Sequence, residues 1–120
     1  MNKIMKILIS FALILFAPLV FACDYPAPPK TLPDGATSTK DEMLAGVKSI
    51  STYQENMSTY LDCIEADEAF AAQVLADDDK KGKKQRKKMF EKKYNAAVEE
   101  QTRSVEEFNA EIRAYKARSN

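Results

Sequence analysis

Between Met43 and Ile64 the side chains keep a helical beat. Met43, Val47, Ile50, Gln54, Met57, Leu61 and Ile64 follow one another at steps of 4, 3, 4, 3, 4 and 3 residues. That is the seam of an amphipathic helix with two core positions in every seven. Tyr53 and Tyr60 widen the stripe toward the breadth a globular helix buries. Gly46 weakens it slightly. Thr39 and Glu42 stand at capping-box spacing just ahead of it. Asp41 and Glu42 fall in the first turn, where the helix dipole favours negative charge. Ala66, Ala69, Phe70, Ala71, Ala72, Val74 and Leu75 carry the helix on.

A second periodic run follows: Phe90, Tyr94, Ala97, Gln101, Val105, Phe108, Ile112 and Tyr115, at steps of 4, 3, 4, 4, 3, 4 and 3. Between the two runs, residues 77–88 carry no apolar side chain at all. Two helices of similar length with a polar break between them form an antiparallel pair. Facing Met43 with Tyr115 brings Val47 to Ile112, Ile50 to Phe108, Leu61 to Val98 and Ile64 to Tyr94. The fold-back then falls near Asp79 and Lys80. The expected fold is all-α: a long antiparallel two-helix hairpin, coiled-coil-like, over 40–118. Helix 1 covers about 40–75, a charged turn about 76–84, and helix 2 about 85–118. The rival is one continuous helix that pairs with a second copy; Gly82 and the crowding of like charge argue against it.

The chain of 120 residues opens differently. Lys3 and Lys6 precede an almost wholly apolar run from Ile7 to Phe21, and Val20-Phe21-Ala22 ends it. This reads as a secretory signal peptide over 1–22, cleaved after Ala22, too short and wrongly flanked for a membrane span. The expected location is periplasmic or secreted, in a bacterium. The mature chain is one small domain, of a size that commonly needs a staple. Residues 23–39 then hold Pro26, Pro28, Pro29 and Pro33. Proline excludes helix here, and it pushes the residue before it to extended angles. Pro33-Asp34-Gly35 is a turn signal in which Gly35 supplies a positive φ. The stretch reads as an extended, polyproline-like strap.

Two cysteines remain, Cys23 and Cys63. Thr39 to Cys63 is ~36 Å of helix at 1.5 Å per residue. Cys23 to Thr39 can span ~50 Å as polyproline II. The strap is therefore long enough to run back along helix 1, and a Cys23–Cys63 disulfide is the expected staple in an oxidising compartment. It would place Tyr25, the prolines and Leu32 against Tyr53, Met57 and Tyr60, in the groove the hairpin leaves open. Two other uses of Cys23 stay open: lipidation directly after the signal, against which the bulky Phe21 argues, and pairing between chains.

Charge is strongly segregated. Residues 80–93 hold Lys80, Lys81, Lys83, Lys84, Arg86, Lys87, Lys88, Lys92 and Lys93 against Glu91 alone, a net +8, while 23–79 are net −9 and 94–120 net −1. Lys80, Lys81, Lys83, Lys84, Arg86, Lys87 and Lys88 form a candidate anion-binding patch for an anionic envelope component (phospholipid or lipopolysaccharide), an acidic protein partner or nucleic acid. The plainer reading is a solvated turn whose charge answers Asp62, Glu65, Asp67 and Glu68 on the facing helix. Export and the lack of interleaved aromatics argue against nucleic acid. Membrane contact is expected only if Cys23 is lipidated, and the protein is expected as a monomer or a helix-mediated dimer. Asp77, Asp78 and Asp79 lack the ligand pattern of a calcium loop, and one of them suits a helix cap better. Asn56-Met57-Ser58 fits the glycosylation sequon by chance, given a bacterial signal. The chain has no histidine. There is no nucleophile elbow and no Gly-rich phosphate loop. No catalytic residue, metal site or cofactor is expected.

Cys23, Pro26, Pro29, Pro33-Asp34-Gly35-Ala36, Met43, Tyr53, Tyr60-Leu61 and Cys63 together resemble a group of uncharacterised small exported proteobacterial proteins. The resemblance spans about 23–68 and leaves out helix 2. It implies export and the two-cysteine arrangement, and it brings no activity, ligand or site.

Overall fold

The computed structural model describes residues 22–119. The expected signal peptide, save for Ala22, lies outside them. Helices, strap and disulfide all fall within 23–119. The described chain is an all-helical hairpin of α1 (Lys40–Val74) and α2 (Lys80–Ser119). At 1.5 Å per residue these are rods of ~50 and ~60 Å.

Each end of α1 has a local cause. Thr39 is extended and caps the helix, its hydroxyl accepting from the Glu42 N–H at 3.3 Å. The Glu42 carboxylate accepts from the Thr39 N–H at 2.6 Å, which completes the capping box. That backbone hydrogen bond, and then the one from the Thr39 hydroxyl, holds the Glu42 carboxyl below its ordinary value. At the far end Leu75 leaves helical angles, its N–H still donating to Ala71 O at 3.3 Å. Three aspartates follow. Asp79 caps α2, its carboxylate accepting from the Gly82 N–H at 2.8 Å. Helix 2 therefore begins at Lys80, five residues before the expected 85, and the turn shrinks to 75–79. The Asp79 carboxylate thus satisfies one donor of a first turn crowded with like charge, and its negative charge is favoured at that end of the helix dipole.

The strap lies along the hairpin, and its N-terminus is fixed by the Cys23–Cys63 disulfide, with Cα atoms 5.7 Å apart. Tyr25 meets Tyr60 edge-on at 4.9 Å between ring centroids. Its hydroxyl donates to Glu100 of α2. Further along, Pro33 lies against Gly46 of α1. The Gly35 N–H donates to the Glu111 carboxylate at 2.7 Å, and Ser38 O accepts from Arg118. The strap thus touches both helices. Leu32 packs with Met43, Ile50 and Phe108, two turns nearer the open end than the tyrosines it was expected to meet. The difference follows from the strap's extended rise, which covers more of α1 per residue than the helix itself does.

The turn at the end of the strap forms without a positive φ, since no glycine among the described residues has one. Asp34 organises it instead. Its backbone carbonyl accepts from Thr37 at 3.2 Å and from Ser38 at 2.8 Å, and its carboxylate accepts from Ala36 at 2.7 Å. Gly35 is there for space. A Cβ on it would stand 1.8 Å from Glu111 O, inside the backbone of α2.

The core differs from the expected seam by one residue. Met43, Gly46, Ile50, Tyr53, Met57, Tyr60 and Ile64 are buried in α1. Gly46, Tyr53 and Tyr60 take the beats assigned to Val47, Gln54 and Leu61, and Val47 is 47% exposed. In α2 Ala97 is buried on its expected beat, while Ser104 is buried where Val105 was expected and Val105 is half-buried; Val98, set opposite Leu61 in the expected register, is 38% exposed. The cause is the strap. A bare pair of helices buries the seam between them evenly, whereas a strap in one groove also covers the positions that border it. The expected Ile50–Phe108 and Met43–Tyr115 neighbours share one cluster, and Ile64 and Tyr94 share another. Val47 and Val98 face the uncovered side. The Tyr53 hydroxyl is buried between the helices near Ser104, and burial, with the negative charge of Glu100, pushes its ionisation upward.

Candidate functional site: the basic end of the hairpin

Lys80, Lys81, Lys83, Lys84, Arg86, Lys87 and Lys88 all lie on the opening turns of α2, at the end of the rod where the chain reverses. Four of the first five residues of α2 are lysines, placed at the positive end of a helix dipole. Gly82 adds a weak helix former to the same turn. Sequence that works against the stability of its own element is expected where function has a claim on it.

Internal acids answer only part of this charge. Arg86 reaches across to α1, its Nε 3.1 Å from Glu68 and its terminal nitrogen 3.6 Å from Asp67. Lys83 stands 3.5 Å from Asp77, and Lys87 stands 3.9 Å from Glu91 on the next turn. Asp62 and Glu65, the other acids suggested as counter-charges, are exposed and form no ion pair among the described residues. Lys80, Lys81, Lys84 and Lys88 are exposed, and no carboxylate pairs with them among the described residues. Lys92 and Lys93 join them. The steps from Lys81 to Lys84, Lys88 and Lys92 are 3, 4 and 4, so these four make one stripe along α2. Of the acids on the facing helix only Asp67 and Glu68 are met, both by Arg86; Lys83 and Lys87 pair with Asp77 and Glu91 instead, and six cations are left over among the described residues.

The aspartates before α2 are committed elsewhere: Asp79 to the helix cap and Asp77 to Lys83. Cys23 and Cys63, the other predicted pair, are bonded to each other and stabilise the fold. Shallow surface troughs follow the edges of the strap, lined by residues such as Ala27, Pro29 and Thr52, or Tyr25, Pro26 and Thr59, or Leu32, Pro33 and Gly46. None of them holds a cluster of groups suited to chemistry.

One group near the basic end escaped the sequence reasoning. Phe70 and Val74 are each 66% exposed and Met89 is 56% exposed. In the sequence pattern Phe70 and Val74 read only as residues that carry the helix on. The signal was present: Phe70 lies off the seam by a full step, and Val74 shares its face at the next turn. Met89 borders a small cleft together with Ile64, Asp67, Arg86, Phe90 and Lys93.

No protein-family model, no curated protein and no solved structure matches the chain.

Proposed function

We propose that this is a small exported, non-enzymatic binding or scaffold protein of the bacterial envelope, which meets an anionic surface or acidic partner through the basic end of its hairpin. The observation that carries the reading is the set of six exposed lysines on α2 that no carboxylate pairs with among the described residues, four of them in a single stripe. A rod ~60 Å long holds that end away from the strap's turn and the last turn of α2. The disulfide and the prolines keep the rod in one shape, so little ordering is left to be done on contact.

Cleavage after Ala22 would leave Cys23 as the first residue, in a compartment where its bond to Cys63 persists. The alternative, a structural lipoprotein anchored through Cys23, needs the same sulfur for a thioether. The close approach of Cys23 to Cys63 favours the disulfide use.

Retention of the oxidised protein on envelope fractions tests the reading. Retention is expected to fall steeply as salt rises from about 50 to about 500 mM, because exposed charge is screened over that range. Lys81→Glu, Lys84→Glu and Lys88→Glu together should abolish it. Retention that the triple reversal leaves untouched rejects the reading.

A further inference from the structure

The strap covers only part of its groove. It begins at Cys23, bonded to Cys63, and runs from there toward Thr39. From Cys63 to Val74 the same groove continues for ~16 Å, and none of the described residues of the strap lies over it. Helical spacing fixes what borders this stretch. Phe70 is seven residues from Cys63, and Val74 is seven from Asp67, so both lie on the flank that faces the strap. Asp67 and Met89 border the same cleft, which puts Met89 on that flank from the side of α2. Single exposed apolar side chains need no explanation. Three of them around one uncovered groove, at 66%, 66% and 56% exposure, do.

The lysines stand beside this patch. Lys93 borders the cleft with Met89, and Lys88 and Lys92 flank Met89 on its own helix. An apolar strip edged by lysines is the pattern of a surface that lies in a lipid headgroup layer. The type of cation points the same way. Eight of the nine basic residues in 80–93 are lysine. Recognition of a discrete phosphate or carboxylate favours the planar arginine fork, whereas a diffuse anionic surface needs only point charges on long stems that can snorkel. The single arginine is already held by Asp67 and Glu68. An acidic protein partner would satisfy the lysines, but it would leave the apolar strip without a role.

We infer that the partner is an anionic phospholipid surface, with Phe70, Val74 and Met89 entering the headgroup layer and Lys81, Lys84, Lys88, Lys92 and Lys93 meeting lipid phosphates. This rests on the anion-binding reading and names its source. It also departs from the expectation that only a lipidated Cys23 would bring the chain to a membrane. Each lysine near such a surface strengthens binding about fivefold at moderate ionic strength.

The chain contains no tryptophan, so a Phe70→Trp variant carries a single indole reporter at the centre of the patch. The test uses the oxidised protein beginning at Cys23, with vesicles of phosphatidylethanolamine containing about one-third phosphatidylglycerol, and vesicles of phosphatidylcholine as the neutral control. The inference predicts sedimentation with the anionic vesicles alone. It predicts a blue shift of the indole emission and quenching by brominated lipid. It also predicts at least about tenfold weaker partitioning for Phe70→Ser, Val74→Ser and Met89→Ser combined, with far-UV circular dichroism unchanged. Undiminished binding of the triple serine variant, with the indole emission unmoved, overturns the insertion and leaves a purely electrostatic contact. Absence of vesicle binding with salt-sensitive retention on heparin overturns the lipid source but not the anion-binding reading. Absence of both overturns both.

Discussion

Two glycines show how local rules yield to packing. Gly46 sits inside α1, where alanine ordinarily stabilises a helix by about 1 kcal/mol. Here a Cβ would stand 2.7 Å from Pro33 of the strap and 2.8 Å from the Phe108 ring. Overpacking of that kind costs about 1–3 kcal/mol. Gly46→Ala is therefore expected to lower the urea midpoint, against its helix propensity. A raised midpoint would show that the strap does not lie on that turn. Neither this role nor that of Gly35 was legible in the chain. Gly46 stands off the expected beat, and Pro33-Asp34-Gly35 is an ordinary turn signal. The need for glycine at both places comes from a backbone or ring brought there by tertiary folding. The Thr39–Glu42 capping box was legible, because everything it uses lies within four residues.

The helices themselves announce their existence, direction and partner through period alone, and the hairpin could be read from it. The rotation of the buried stripe could not. Period fixes which residues share a face to within about one step. The choice between Tyr60 and Leu61, or Ser104 and Val105, depends on which of the two grooves is covered. This gives a paired comparison. Tyr60 is buried between α2 and Tyr25, while Leu61 is half-buried on the open side. Tyr60→Ala should cost about 3 kcal/mol or more and Leu61→Ala clearly less, as measured by denaturant unfolding of the oxidised protein. Equal costs would indicate a bare two-helix seam. The basic patch was legible as a run of lysines, but which of them are answered by acids depends on α1 arriving opposite. The exposed apolar strip was hidden for the same reason, since among the described residues the strap reaches α1 only as far as Cys63.

The whole molecule is a rod with two unlike ends. At one, the strap's turn, the cap of α1 and the tail of α2 close on one another through Asp34, Glu111 and Arg118. At the other, cations and apolar side chains are left open together. Between them a two-helix seam has only a narrow core, with Met57 the one large side chain fully out of water among the described residues. The strap adds a third layer, and the bond at its start makes that layer permanent. Cys23 and Cys63 are 40 residues apart, and closing a loop of that length stabilises by roughly 4 kcal/mol in the chain-entropy view. Urea unfolding of the oxidised protein against a Cys23→Ser, Cys63→Ser double variant tests this most directly. The account predicts a loss of about 4 kcal/mol, together with faster hydrogen exchange at the Gly35 amide as the strap lifts. Unfolding curves that superimpose, with that amide equally protected in both proteins, would contradict it.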